Sequence, residues 1–183
     1  IDIHYNTNGT QLPPPEIFDL WSYFKHVEIA FSIDDVGDQF QYQRHPANWR
    51  QVGANLVKFK ERRTPNMEFQ ICTTVSIFNI FSLAKIAFWV KQYQPKFFYV
   101  NTLFDPDYFN IQTLPKNVKN IVNSRYNMLT DFKPTLRFMN SVDRDSPEIR
   151  KQRSDRILQT DAYRHENFGE YFPLLNKVLG IYE

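Results

Sequence analysis

Apolar and polar positions alternate over residues 1–7, with Ile1, Ile3 and Tyr5 on one side, and this period of two predicts a strand. Asn8-Gly9-Thr10 ends it, Gly9 being free to take a positive φ. Pro13 to Pro15 lead into Ile17, Leu20, Trp21 and Phe24, the i, i+3, i+4, i+7 spacing of a helix with one buried face. A nearly continuous apolar run from Val27 to Ile33 predicts the second strand. A loop follows, and Pro46 opens a helix carrying Trp49, Val52, Leu56 and Phe59 on one side. The third strand is expected from Met67 to about Ser76. The third helix runs from about Asn79 to Gln94, with Ile80, Leu83, Ala84 and Ala87 inward, and Pro95 ends it. Phe97 to Phe104 is the fourth strand. Asp105-Pro106 starts a long loop reaching Leu114-Pro115, and a fourth helix carries Val118, Ile121 and Val122. From about Pro134 the chain reads as helical with weak periodicity, Pro147 opening one more helix and Phe172-Pro173 marking a break.

Strand and helix thus alternate four times, which implies parallel strands joined by helical crossovers and an α/β fold. The strands are nearly all-apolar, as a sheet covered by helices requires. Four strands cannot close a barrel. They form an open arc, or part of a barrel completed by other residues. An unpaired edge and an uncovered apolar face would then invite self-association through the open barrel edge.

Composition narrows the picture. Of 183 residues, 42% are apolar and 16% aromatic, enough aromatic area to offset the entropy of ordering the chain. The net charge of +2 selects no partner. Basic residues are scattered except in Lys58–Arg63 and in a mixed stretch from Arg144 to Arg156. Both runs contain acids and read as solvated helix faces, so no nucleic-acid partner is expected. The most apolar window, Ile77 to Val90, is interrupted by Asn79, Ser82 and Lys85, and no membrane span is expected. The single Cys72 excludes an internal disulfide and a cysteine-rich metal site built from this chain alone. With no signal-peptide pattern, a cytoplasmic location is the default expectation. The sequence opens at Ile1 with residues that already read as a strand, as expected of a piece of a longer protein.

In parallel α/β folds ligands bind at the carboxyl ends of the strands. The residues there are Thr7-Asn8-Gly9, Ser32-Ile33-Asp34-Asp35, Thr73-Thr74-Val75-Ser76 with Asn79, and Asn101. All but Gly9 and the apolar Ile33 and Val75 can exchange hydrogen bonds with ribose hydroxyls, an amino acid or a nucleobase. Polar turn and cap residues also gather at strand ends for purely structural reasons. Arg44, in the polar loop after Asp35, carries a fork suited to a carboxylate, or is an ordinary surface arginine.

The order Thr7-Asn8-Gly9-Thr10, then Ser32-Ile33-Asp34, Val36-Gly37, Tyr42, Arg44, Pro46 and Trp49, resembles the central segment of radical S-adenosylmethionine (SAM) proteins with SPASM or twitch domains. In that family Thr-Asn-Gly ends the third barrel strand and Ser-Ile-Asp-Gly the fourth, followed by a Tyr-x-Arg-x-Pro-x-x-Trp helix start. Thr74-Val75-Ser76 with Asn79 is similar to the fifth strand and helix start. Asn101, Leu103, Pro106 and Leu114-Pro115 are similar to the sixth, and Asp161, Arg164, Asn167-Phe168 and Phe172-Pro173 to the common end. The likeness spans nearly the whole chain, and its Ser-Ile-Asp…Arg-x-Pro-x-x-Trp element is the specific part.

The resemblance implies a partial radical SAM (β/α)6 barrel of about four parallel βα units over residues 1–133. A helical, twitch-like tail without cluster cysteines follows over 134–183. It implies a SAM site in which Ser32 and Arg44 hold the methionyl carboxylate. Asn8, Asp34, Thr74, Ser76 and Asn79 line the remainder, near ribose and adenine. In the family a reduced [4Fe–4S] cluster cleaves SAM to a deoxyadenosyl radical that takes a hydrogen atom from a peptide or small metabolite. The cluster is held by Cys-x3-Cys-x2-Cys after the first strand, a motif this chain does not contain. Asp35 stands where the family has glycine, adding a carboxylate at the turn.

Two other readings stay open. One is a binding or interaction module that keeps half the barrel without the cluster loop. The other is an unrelated α/β enzyme acting on a phosphorylated or nucleotide substrate. His4, His26, His45 and His165 show no metal-ligand spacing and read as surface or loop residues, so no metal site is expected in this chain. No GxxxxGK[ST], GxGxxG or Gly-x-Ser-x-Gly occurs. Asp105 and Asp107 can serve as acid or base, or simply belong to a turn.

Overall fold

A computed structural model describes residues 1–182. In chain order its elements are β1 (Asp2–Thr7), α1 (Pro15–Ser22), β2 (His26–Ser32), α2 (Asp38–Gln43), α3 (Trp49–Arg62), β3 (Met67–Val75), α4 (Leu83–Tyr93) and β4 (Phe97–Thr102). Helices alone follow: α5 (Lys116–Tyr126), α6 (Lys133–Ser141), α7 (Pro147–Arg164), α8 (Phe168–Tyr171) and α9 (Pro173–Leu179). The fold is α/β, a parallel sheet of order β1-β2-β3-β4 with helical crossovers and a helical C-terminal region. The chain divides into two compact units, residues 1–74 with 84–101, and residues 75–83 with 102–182.

The first unit is built on the alternation of its strands. Val27, Ile29 and Phe31 on β2 and Met67, Phe69 and Ile71 on β3 are buried on one face. Phe18 and Trp21 of α1 and Val52, Leu56 and Phe59 of α3 supply the opposing layer. Phe59 is its centre, with ring centroids 5.7 Å from Phe18, 5.6 Å from Phe31 and 6.1 Å from Phe69. Edge-to-face and tilted pairs of this kind add to area burial. In register, Ile29 lies beside Tyr5 and Phe69, and Glu28 beside His4 and Glu68. Consequently the other face carries His4, Glu28, Glu68 and Gln70, where an apolar surface was expected. That face is not polar throughout, since Ala30 and Cys72 on it are buried.

Several elements differ from expectation for local reasons. The stretch after β2 holds a short helix, α2, with Phe40 and Tyr42 buried; six residues are too few to show an apolar stripe. Asn48, not Pro46, caps α3, its side chain accepting the Gln51 backbone N–H at 3.0 Å. Phe18 and Trp21 face inward on α1, leaving Leu20 half exposed. On α4, Leu83, Ile86 and Val90 are buried and Ala84 is exposed.

In the second unit the long loop after β4 contains two 3-10 turns, Asp107–Phe109 and Ile111–Thr113. Arg153 of α7 holds them together. Its Nε donates to the Tyr108 carbonyl at 3.1 Å, and its Nη2 to the Thr113 carbonyl at 2.7 Å and hydroxyl at 2.9 Å. Arg153 is 2% exposed, which corrects the expectation that the whole Arg144–Arg156 stretch is a solvated face. Burial pushes its pKa down to about 10. Asp161, also buried, accepts the Phe168 N–H at 2.6 Å and the Tyr182 hydroxyl at 2.7 Å. Phe78 packs against Phe109, Phe168 and Phe172. Among the described residues no helix is long and apolar enough to cross a membrane.

Candidate functional site

The turn after β1 is shaped by Gly9. At φ +73° it lies in the left-handed region, and an added Cβ would meet Val52 Cγ1 at 3.1 Å and Phe31 Cδ1 at 3.3 Å. Its carbonyl accepts the side-chain amide of buried Asn55 at 2.8 Å, which fixes the turn to α3. Asn8 Oδ1 accepts the Thr10 backbone N–H at 3.1 Å and hydroxyl at 2.7 Å. The turn therefore presents short polar side chains on a rigid support.

After β2, Ile33 continues the pairing by donating to the Cys72 carbonyl at 2.8 Å, and Asp34 turns its carboxylate toward Thr74 and Arg44. Oδ1 accepts the Thr74 backbone N–H at 2.8 Å. Oδ2 accepts Arg44 Nε at 2.8 Å and Nη2 at 2.6 Å. Both side chains are mostly shielded, so this charge-assisted pair is worth more than an exposed one. Next to it Asp35 is fully buried, accepting the Val36 N–H at 2.9 Å and the Gln43 amide at 3.1 Å. The left-handed turn falls at Gly37, φ +69°, and Asp35 takes no positive φ.

Behind Arg44, Phe40 packs on Trp49 at 5.0 Å and Trp49 on Trp89 at 4.7 Å, and the Trp49 N–H donates to Gln41 Oε1 at 3.0 Å. This aromatic stack seats the start of α3. Asn8, Thr10, Asp34, Gln43, Arg44 and Asn48 line one pocket of about 610 Å³ at the carboxyl ends of β1 and β2, with His45, Pro46, Ala47 and Gln51 completing its wall.

Of the residues singled out in the sequence, Asn8, Asp34 and Arg44 share this pocket. Ser32 and Thr74 end their strands half-buried, outside its lining. Ser76 and Asn79 belong to the second unit. There the Ser76 N–H donates to Asn79 Oδ1 at 2.9 Å and the Phe78 N–H to Ser76 Oγ at 3.3 Å, both residues being buried in the turn. Asp107 opens a 3-10 turn and faces Arg144 at 3.8 Å, the turn role of its two readings. Sequence reasoning passed over Gln43, Asn48 and Gln51. A signal existed: amide side chains recur after Asp35, at Gln39, Gln41, Gln43, Asn48 and Gln51, from α2 into the start of α3. A second, more apolar pocket of about 350 Å³ is lined by Tyr5, Leu12, Pro13, Trp21, Phe31 and Phe59 among others.

Cys72 is buried on β3 and hydrogen-bonded to Tyr99 of β4. Burial pushes its thiol pKa up, so it stays protonated and unreactive. The bond to Cys72 in turn pushes Tyr99 up to about 12.

Fold and site together define an α/β protein with a polar, arginine-bearing pocket at the carboxyl ends of parallel strands. No protein-family model and no curated protein sequence matches the chain. Among solved structures, it is similar to native anSMEcpe, an anaerobic sulfatase-maturating enzyme, with bound AdoMet and the Cp18Cys peptide. The TM-score is 0.47 and the identity 16%, over 89% of this chain and 38% of that one. Native anSMEcpe with AdoMet alone gives 0.47 and 17% over 90% and 38%. A hexahistidine-tagged form with bound AdoMet gives 0.47 and 20% over 74% and 37%. The chain thus spans well under half the length of these proteins.

Proposed function

We propose that this chain binds S-adenosylmethionine through the pocket at the ends of β1 and β2, as the C-terminal part of a radical SAM barrel. The observation that supports the reading is the Ser-Ile-Asp…Arg-x-Pro-x-x-Trp element: its Asp34 and Arg44 meet Asn8 in one polar cavity. The donor set suits the ligand. A guanidinium has five N–H donors, of which two address Asp34, leaving others for a methionyl carboxylate. Asn8, Thr10, Asn48 and Gln51 offer amides and a hydroxyl to a ribose diol. Asp34 holds the Arg44 fork at a fixed orientation, and the aromatic stack under Trp49 holds the loop. Ser32, Thr74, Ser76 and Asn79 remain proposed contributors.

An iron–sulfur cluster does not suit this donor set. Its irons need several thiolates, and the chain has one cysteine, buried and protonated. Radical generation and hydrogen abstraction from a peptide or small metabolite are therefore proposed only for an assembly in which another segment supplies the cluster. The same observation supports the second reading, a binding module that uses this pocket without redox chemistry.

The test is calorimetric titration of the whole chain with SAM, with and without Arg44→Ala and Arg44→Lys. Losing a charged hydrogen-bond partner costs about 1.5–3 kcal/mol, so Arg44→Ala should weaken binding by about ten- to a hundredfold. Arg44→Lys should recover only part, because a lysine has no fork. Absence of SAM binding, or binding indifferent to Arg44, overturns the proposal.

A further inference from the structure

The face of the sheet opposite Phe59 carries a second constellation, at the amino-terminal ends of β2 and β3. Parallel register sets Glu28 between His4 and Glu68, three polar residues in one row across three strands. His26 and Gln70 point the same way, two residues before and two after that row on their own strands. Ligand atoms of His26, Glu28 and Glu68 all lie within 4.8 Å of one another. His26 Nε2 is 3.5 Å from Glu68 Oε2. Glu28 Oε1 meets His4 Nδ1 at 2.7 Å and accepts the Gln70 amide at 2.8 Å. Lys96, ahead of β4, contacts Glu68.

Like charges directly opposite in a sheet destabilise it unless something compensates. Here Glu28 and Glu68 are placed opposite each other by the backbone, so a bridging cation gains from both. We infer that His26, Glu28 and Glu68 form a binding site for one divalent transition-metal ion of the zinc or manganese class. An imidazole with two carboxylates is a donor set for these ions, and the imidazole selects against magnesium and calcium. Each carboxylate already has an orienting partner, as ligating carboxylates generally do. Gln70, itself buried, aims Glu28, and His4 supports it from β1. Lys96 is the competitor, occupying Glu68 with a positive charge when no metal is present. An ion held here would tie β2 to β3 at the end of the sheet away from Arg44. The site is thus a structural clamp, independent of the SAM proposal.

The test uses the whole chain stripped with a chelator and titrated with Zn²⁺ by calorimetry, with thermal unfolding in parallel. One equivalent should bind and raise the melting temperature, because a ligand that binds only the folded state stabilises it. Glu28→Gln and Glu68→Gln keep shape and fold while removing ligand charge, and each should weaken binding at least about tenfold. His26→Ala should do the same. Lys96→Met should tighten binding, an increase that misfolding cannot produce. Mg²⁺ in excess should not displace the bound ion. Absence of Zn²⁺ binding, or an affinity unmoved by the glutamine variants, overturns the inference, as does weaker binding in Lys96→Met.

Discussion

In the first unit the buried layer is mainly aliphatic and aromatic, with Asn55 its polar member, and most other polar side chains stand at strand ends or on the sheet face away from Phe59. In the second unit charged and polar side chains are inside, each tied to backbone: Arg153 to the carbonyls of Tyr108 and Thr113, Asp161 to the Phe168 N–H. Buried Gln112 does the same, donating to the Phe138 carbonyl at 3.1 Å and the Ser141 hydroxyl at 2.9 Å. The contrast separates two uses of polarity. A helix-covered sheet can be stabilised largely by area, and polar side chains then gather at its strand ends, where a ligand can reach them. A region of 3-10 turns and short helices has backbone groups without regular partners, and side chains must satisfy them. Polar groups in the first unit are thus candidates for function, while those in the second are largely committed to structure.

The largest effect should come from attacking the first unit's layer. Phe59→Ala removes a ring that touches Phe18, Phe31 and Phe69, and should cost about 3–5 kcal/mol. All three tryptophans, Trp21, Trp49 and Trp89, belong to this unit, so tryptophan fluorescence in a denaturant titration reports it. A midpoint shifted by less than a quarter of that cost would show that the layer is not what holds the unit.

A somewhat smaller loss is expected from Arg153→Met, which keeps the length of the side chain and removes its donors. Two carbonyls and a hydroxyl lose their partner, at about 2–4 kcal/mol in total. Circular dichroism at helical wavelengths should show the loss. If Arg153→Met were neutral or stabilising, the second unit would rest on its apolar contacts like the first, and the comparison would break.

The same contrast explains what could be read from the sequence. The first strand was legible from its period of two, the other three as apolar runs bounded by breakers, and helix α3 from the 3.6 period of Val52, Leu56 and Phe59. Which residue of a short helix turns inward was not: Phe18 and Ile86 replace Leu20 and Ala84, a choice made by the shape of the opposing layer. Arg153 was illegible because its neighbours in sequence are charged and exposed, and only the 3-10 turns 40 residues away need its donors. The pocket was partly legible, since Asn8, Asp34 and Arg44 follow apolar runs or a recognisable spacing. The His26, Glu28 and Glu68 cluster was not, because Glu68 lies 40 residues beyond Glu28 and is adjacent to it only through strand register.

The smallest effect separates the units through two tyrosines. Tyr99 and Tyr182 both have pKa values raised to about 12, but from different leading causes. For Tyr99 the hydrogen bond to Cys72 comes first; for Tyr182 burial does, ahead of the bond to Asp161. A raised folded-state value means that the folded chain holds these protons more tightly than the unfolded one. Their contribution to stability is therefore complete below pH 10 and is lost as pH rises from about 10 to 12. Spectrophotometric titration of the tyrosines should show two late-ionising groups. Cys72→Ala should return one of them most of the way toward 10, whereas Asp161→Asn should leave the other still clearly raised. Equal responses in the two variants would mean that a neighbouring group, not burial, governs both sites.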